Sequence, residues 1–479
     1  TIASAIGSPL RARGRKHLAG TPRKGGVDAG PRRARACPVM SPLDTPARGN
    51  SALPAALEEA RARYAAARPA SAAAHAAARA VMPGGSTRSV LFWTPFPIVM
   101  ARGEGAMLWD LDGHAYRDFL GEYSAGLFGH SEPRILAAAQ AAMARGINLA
   151  AAGQDEARFA ALICGRFPSI ERVRFTNSGT EANIMALAAA RAFTGRTEIM
   201  VARGGYHGGV LTFAREDNPV NLPVPTRFLD YNDAKGARAA IRAAGQALAA
   251  VLVEPMLGSG GCIPATPEFL AALREACDET GALLILDEVM TSRHGPAGLQ
   301  GRMGVRPDLT TLGKYIAGGF NAGAFGGRAE VMELFDGHRP GALPHAGTFN
   351  NNVWSMAAGC VALGEIFGPA EAEALYARGE ALRAALNAAC AEAGAAMHFT
   401  GRGSMMAAHF RRGPIAAPSA ATAEEEQRRE LFFLDMLQAG IYLARRGMIC
   451  LSLPQGPEDD AALLAALREF LATRAPLLG

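Results

Sequence analysis

The chain has 479 residues, 49% hydrophobic and 19% charged, which is long enough for two domains with a sizeable core and excludes a disordered composition. No uninterrupted apolar run approaches the roughly 18 residues of a membrane-spanning helix, and the seven cysteines stand singly with no C-x-x-C pair, which argues against a disulfide framework or a zinc site. The net charge of +5 arises in residues 1–50, where ten Lys/Arg face two Asp, a balance of +8 that leaves −3 for the rest.

These features predict a cytoplasmic protein with no membrane, nucleic-acid or metal partner. Residues 1–50 carry Arg11, Arg13, Arg15, Lys16, Arg32, Arg33 and Arg35 between Gly and Pro, so no regular basic helix forms and a disordered tail is expected. A transit peptide would need a repeating apolar face that this stretch lacks. Met40 is a candidate native start.

In chain order, the Ala-rich stretch 53–80, with Leu57, Tyr64 and Ala67 at helical spacing, predicts one or two helices ended by Met82-Pro83-Gly84-Gly85. Residues 98–101 and 107–109, with the turn Asp112-Gly113, predict a β-meander. From about Ala137, helical segments alternate with the apolar strands 173–176, 199–202, 250–253, 283–286 and 309–312, a pattern of α/β type with a mostly parallel sheet. After Asn352 the pattern becomes helices 355–367 and 371–393, a strand 404–410, a loop 412–422 and a final helix 459–473, as in a smaller α+β domain.

In open α/β sheets, ligands bind beyond the carboxyl ends of the strands. Three such ends carry polar residues. After Phe175-Thr176, the run Asn177-Ser178-Gly179-Thr180 opens a helix, whose free N–H groups and positive dipole end suit a phosphate, although the same residues would also make an ordinary N-cap. The apolar strand 282–286 delivers Asp287 and Glu288, two acids not expected to enter the core together. Asp287 suits either a helix cap or a protonated pyridine nitrogen. Leu312-Gly313-Lys314 ends a third strand with a lysine, before Gly318, Gly319 and Gly323. Alone it reads as a solvated side chain. Phosphate site, strand-end acid and lysine in this order suit pyridoxal 5′-phosphate bound to Lys314 as a Schiff base.

The segments 177–183, 205–208, 253–255, 287–289 and 312–314 resemble class III aminotransferases, in the branch containing glutamate-1-semialdehyde aminomutase. The longer stretches 86–92, 204–209, 288–293, 347–352 and 451–454 are most similar to bacterial β-phenylalanine aminotransferases. The resemblance implies a fold-type I pyridoxal-phosphate transferase, with residues 51–115 and 353–479 forming a small domain from both chain ends and 116–352 the large cofactor-binding domain.

It also implies roles for named residues. Lys314 would hold the cofactor and shuttle a proton, Asp287 would pair with the ring nitrogen, and Ser178, Gly179 and Thr180 would bind the phosphate. Thr348 would reach the phosphate of a partner subunit, so the sites of a homodimer would be shared. Tyr206 would stack on one ring face and Val289 on the other. His207 would support that arrangement or serve as a structural histidine, and Glu254 would lie near the ring edge. Arg88, beside Phe92, Trp93 and Phe96, would grip the substrate carboxylate. Arg446, rather than the adjacent Arg445, matches a second arginine of the family.

The implied reaction moves the amine of a β-amino acid, aromatic and β-phenylalanine-like, to 2-oxoglutarate. The alternatives are the aminomutase, another ω-amino acid or amine transaminase, and a non-catalytic binding relative. Two departures stand out. The glycine loop 318–323 differs from that of the aminomutases, which argues against intramolecular exchange, and Leu257 stands where many relatives carry a polar residue, which puts local substrate contacts in doubt.

Overall fold

The strands Leu248–Val253, Leu283–Asp287 and Leu309–Gly313 are buried at every position, as strands covered on both faces must be. The computed structural model describes residues 52–479, and the expectations for the basic tail and Met40 lie outside these residues. The three strands sit inside a seven-stranded sheet ordered Arg172–Thr176, Gly323–Gly327, Leu309–Gly313, Leu283–Asp287, Leu248–Val253, Glu198–Ala202, Thr226–Leu229. All are parallel except Gly323–Gly327, which is antiparallel to both its neighbours.

That antiparallel strand begins in what the sequence presents as a glycine-rich loop. Its glycines are there for space: a Cβ on Gly326 would lie 2.6 Å from Ile170 Cγ2, and one on Gly327 2.8 Å from Leu309 Cδ2. Register places Thr176, Gly323 and Gly313 side by side and Asp287 opposite Thr311. The carboxyl ends that carry Asn177, Asp287 and Lys314 therefore share one edge of the sheet.

The helix Gly179–Thr194 packs one face through Ala182, Ala186 and Ala190, small enough to let it approach Val201, Leu252 and Ile285. The helices Ala234–Ala244 and Pro267–Thr280 cover the other face, with Ile241, Phe269 and Leu273 in the core beside Val251 and Leu284.

The two ends of the described chain meet in a four-stranded sheet, Met100–Glu104, Met107–Asp110, Ala115–Asp118 and Ile441–Tyr442, the last parallel to the third. A second small sheet joins His398–Arg402, Met405–His409 and Met448–Cys450. The expected first strand of the meander begins two residues later than its apolar pattern suggests, and His398–Arg402 and the edge strand Thr226–Leu229 are additions. The helix expected over 355–367 is α-helical only through Val353–Val361 and then widens into a π-turn, Ala362–Ile366. Among the described residues no single helix is long and apolar enough to cross a membrane, and no group of three His, Cys, Asp or Glu is placed to hold a metal ion.

Candidate active site

A cavity of about 570 Å³ opens at the shared strand edge, within the usual range for small-molecule sites. It is lined by Arg88, Ser178, Gly179, Thr180, Tyr206, His207, Glu254, Asp287, Val289 and Lys314. Ten of the twelve site residues expected from the sequence thus meet in one space. Arg446 and Thr348 do not line it.

Ser178 is the N-cap of the helix Gly179–Thr194, its hydroxyl accepting from Glu181 N at 3.2 Å. The capping and phosphate readings of this turn are compatible, because an accepting hydroxyl still has its own O–H to donate. Gly179 is required by packing: a Cβ there would lie 2.7 Å from both methyl carbons of Val289. Thr180 Oγ1 accepts from Gly209 N at 3.3 Å, which ties the turn to the loop after Tyr206 and His207.

Asp287 is buried and accepts three hydrogen bonds from the protein, which leaves one acceptor site free. Its Oδ2 accepts from Asn183 Nδ2 and His207 Nδ1, each at 2.8 Å, and its Oδ1 accepts from Val289 N at 3.0 Å. Thr311 Oγ1 in turn donates to Asn183 Oδ1 at 2.7 Å. A carboxylate only accepts, so His207 carries its proton on Nδ1. Its Nε2 has no partner among the described residues. Sequence reasoning assigned no role to Asn183 and did not single out Thr311. Both hold Asp287 in place.

Glu288 corrects the expectation that two adjacent acids cannot both be buried. It is fully buried, and accepts from Leu299 N at 3.0 Å, Gln300 N at 2.7 Å and Thr291 Oγ1 at 2.8 Å. Burial raises its pKa, and these donors oppose the rise.

Glu254 is also buried. It accepts from Tyr206 N at 2.9 Å and Gly258 N at 2.8 Å, and burial, reinforced by the Asp287 carboxylate, pushes its pKa up to about 7. Leu257 packs in the apolar core with Ile263 and Phe269, so the departure noted at that position does not reach the cavity.

Lys314 opens a 3₁₀ turn immediately after the strand and has a φ of 57°, a left-handed conformation that costs a non-glycine residue about 1–3 kcal/mol. Burial lowers its ammonium pKa, Arg446 adds repulsion, and Asp287 and Glu122 oppose both. These charges act through space, and among the described residues nothing hydrogen-bonds the amine. A cavity-facing amine with a lowered pKa and no hydrogen-bond partner is suited to act as a nucleophile.

Arg88 is half-exposed, and its Nη1 forms an ion pair with Glu122, a cavity residue that sequence reasoning missed. The Arg88 guanidinium lies 5.7 Å from the Tyr123 ring centroid and that of Arg446 4.8 Å from the same ring. Arg446 also donates to Ser259 Oγ at 3.2 Å and lines a second cavity, which shares Tyr206 with the first. Arg445 is engaged elsewhere, on Glu430 at 2.9 Å. Thr348 is exposed, in a turn whose Asn350 accepts from Asn177 Nδ2 at 3.0 Å.

The donor set fits pyridoxal 5′-phosphate: a helix N-terminus for the phosphate, a buried acid for a ring N–H, an unpartnered amine for the aldehyde, and an orphaned His207 Nε2 at the same cavity.

The family model for class III aminotransferases matches residues 93–455. The chain belongs to the class III aminotransferases, and is a pyridoxal-phosphate-dependent enzyme. It is 53% identical to the β-phenylalanine transaminase of Variovorax paradoxus over 90% of this chain and 99% of the relative. The crystal structure of a β-phenylalanine aminotransferase from that organism superposes with a TM-score of 0.88, covering 89% of this chain and 99% of that one. A glutamate-1-semialdehyde 2,1-aminomutase of Sorangium cellulosum is 38% identical over 84% of this chain and 96% of its own. A transaminase solved with pyridoxal phosphate bound is 34% identical, with a TM-score of 0.78 over 85% of this chain and 97% of that one.

Proposed function

We propose that this aminotransferase takes the amine of an aromatic β-amino acid such as β-phenylalanine and passes it to 2-oxoglutarate, giving a β-keto acid and glutamate. One observation carries the reading: a single cavity holds the unpartnered Lys314 amine, the buried Asp287 and the guanidinium of Arg88, a group suited to a carboxylate. Similarity to the Variovorax enzyme supports the choice of substrate.

Bound here, pyridoxal 5′-phosphate supplies an electron-withdrawing ring that stabilises a carbanion at the amine-bearing carbon. Asp287, oriented by His207 and Asn183, keeps the ring nitrogen protonated. Ser178, Gly179 and Thr180 would bind the phosphate, Tyr206 and Val289 would hold the ring, and Glu254 fixes the Tyr206 backbone. Lys314 Nζ would hold the cofactor by its aldehyde and, when free, would carry a proton to and from the substrate carbon. Arg88 orients the β-amino acid by its carboxylate, and Arg446 receives a carboxylate of the keto acid.

We further assign the chain to a cytoplasmic homodimer in which Thr348 completes the partner's phosphate site, with residues 51–115 and 353–479 as one small domain beside 116–352. Exposed Met143, Ile147, Leu149 and Phe349 supply apolar surface for such a contact.

The test mixes the yellow holoenzyme with β-phenylalanine, α-alanine and 1-phenylethylamine and follows loss of the cofactor's absorbance. Bleaching by β-phenylalanine ahead of the other two is expected, and no bleaching by any β-amino acid would refute the substrate. Turnover of glutamate-1-semialdehyde without an added keto acid would instead establish the aminomutase.

A further inference from the structure

The turn that carries Glu122 is unusual in its backbone. Gly121, Glu122, Tyr123 and Ser124 have φ of 52°, 47°, 54° and 79°, four consecutive left-handed residues of which three are not glycine. Each non-glycine residue costs about 1–2 kcal/mol in this conformation, so the turn persists only where its surroundings over-determine it.

They do. Asp118 Oδ1 accepts from Leu120 N at 2.9 Å and Gly121 N at 3.0 Å, Gly126 N donates to Gly121 O at 2.8 Å, and the buried Arg293 Nη1 donates to Ser124 O at 3.2 Å. The clamped turn delivers two groups to the carboxylate site. The Tyr123 ring lies against both Arg88 and Arg446, and the Glu122 carboxylate is paired with Arg88 inside the cavity that Lys314 lines.

The arginine assigned to the substrate's carboxylate therefore already holds a carboxylate of the protein. We propose that Glu122 is a specificity-determining residue: it is the internal counter-ion of Arg88, displaced when a substrate carboxylate arrives and restored when a neutral group lies there. The proposal rests on Arg88 being the carboxylate anchor. Glu122 is about half exposed, so its side chain can swing into water when displaced. The exchange swaps one ion pair for another with no bond made or broken. Its consequence is tolerance: Arg88 is not left unpaired beside an apolar substituent, a state that would disfavour such ligands, and affinity for carboxylates falls by the strength of the internal pair.

Competitive inhibition by 3-phenylpropanoate and by its neutral amide separates the terms, measured on holoenzyme carrying no change, Glu122→Gln, Arg88→Gln or both. Glu122→Gln is expected to tighten 3-phenylpropanoate about two- to fivefold, the size of a partly exposed ion pair. It should not tighten the amide. In the Arg88→Gln background the gain should vanish. If Arg88→Gln weakens 3-phenylpropanoate at least tenfold while Glu122→Gln alone fails to tighten it, the Glu122 proposal is overturned and the Arg88 assignment stands. If Arg88→Gln leaves 3-phenylpropanoate binding as it was, both are overturned. Equal tightening of carboxylate and amide by Glu122→Gln overturns the counter-ion role by itself.

Discussion

His207 Nδ1 lies 2.8 Å from Asp287 Oδ2, an oxygen that Asn183 Nδ2 approaches at the same distance. Three donors converge on this one side chain once Val289 N is included. Asp287→Asn therefore does more than remove a charge, because its amide turns an N–H toward a buried donor. Stability should fall by about 1–3 kcal/mol, and turnover by about 10²–10³-fold through loss of the electrostatic partner of the ring. Thermal denaturation and single-turnover rates measure the two. Turnover within tenfold of wild type would remove Asp287 from the ring nitrogen.

The three strand ends were legible because each signal is local: an apolar run stops, and the next residues are an acid, a lysine or a small helix-capping group. What stayed hidden is what the fold assembles from afar. Glu122 meets Arg88 across 34 residues, in a left-handed turn whose Glu, Tyr and Ser give no warning of positive φ. Glu288 looked too polar for the core because its donors, Leu299 N and Gln300 N, come from the following helix. Arg445 and Arg446 are adjacent in sequence, and only packing shows that one is engaged by Glu430 while the other lies over Tyr123. The strand Gly323–Gly327 has Phe325 as its one strand-favouring residue, since its neighbours leave no room for a side chain at Gly323, Gly326 or Gly327.

Lys314 gives a prediction with a sign. Its folded-state pKa is lowered by burial, so below the ordinary lysine value of 10.5 the unfolded chain binds a proton that the folded apoprotein resists. The group's contribution to stability is present at high pH and is lost as pH falls through the folded pKa. Lys314→Met should thus be more stable than wild-type apoprotein at neutral pH, by a margin that closes as pH nears 10.5. Denaturation of both apoproteins from pH 7 to 10 reads the slope, and a margin that widens with pH contradicts it. The same variant should lose multiple turnover by about 10²–10⁴-fold, the scale of a removed proton carrier.

Arg293 is 1% exposed and donates to two backbone carbonyls, Ser124 O and Leu451 O, with no carboxylate in ion-pair contact among the described residues. Burial pushes its pKa down to about 10, still charged at neutral pH. Arg293→Met leaves both carbonyls unpaired, at a cost of about 1–3 kcal/mol, partly offset because a buried cation is removed. The released turn should relax at Ser124 and misplace Glu122 and Tyr123. KM for a carboxylate-bearing amine should rise more than kcat falls, and Arg293→Lys, which keeps the charge, should recover part of the loss. A fall in kcat with KM unmoved would show that the clamp does not govern the carboxylate site.

Glu254 sets a second pH window. Its carboxyl is raised from 4.5 to about 7, chiefly by burial, so between those values the unfolded chain gives up a proton that the folded protein keeps. Its contribution to stability is complete below pH 4.5 and is lost as pH rises through about 7, on the order of 3 kcal/mol. Glu254→Gln does not titrate. It carries a fixed penalty, because one of the N–H donors of Tyr206 and Gly258 then faces an amide nitrogen. The informative quantity is the slope: the stability of wild type relative to Glu254→Gln should decline from pH 4.5 to 7 and level off above about 8. Urea unfolding of the two apoproteins across that range measures it. A difference that stays flat, or rises with pH, would mean that Glu254 is ionised in the folded state throughout, with the Tyr206 and Gly258 donors outweighing its burial.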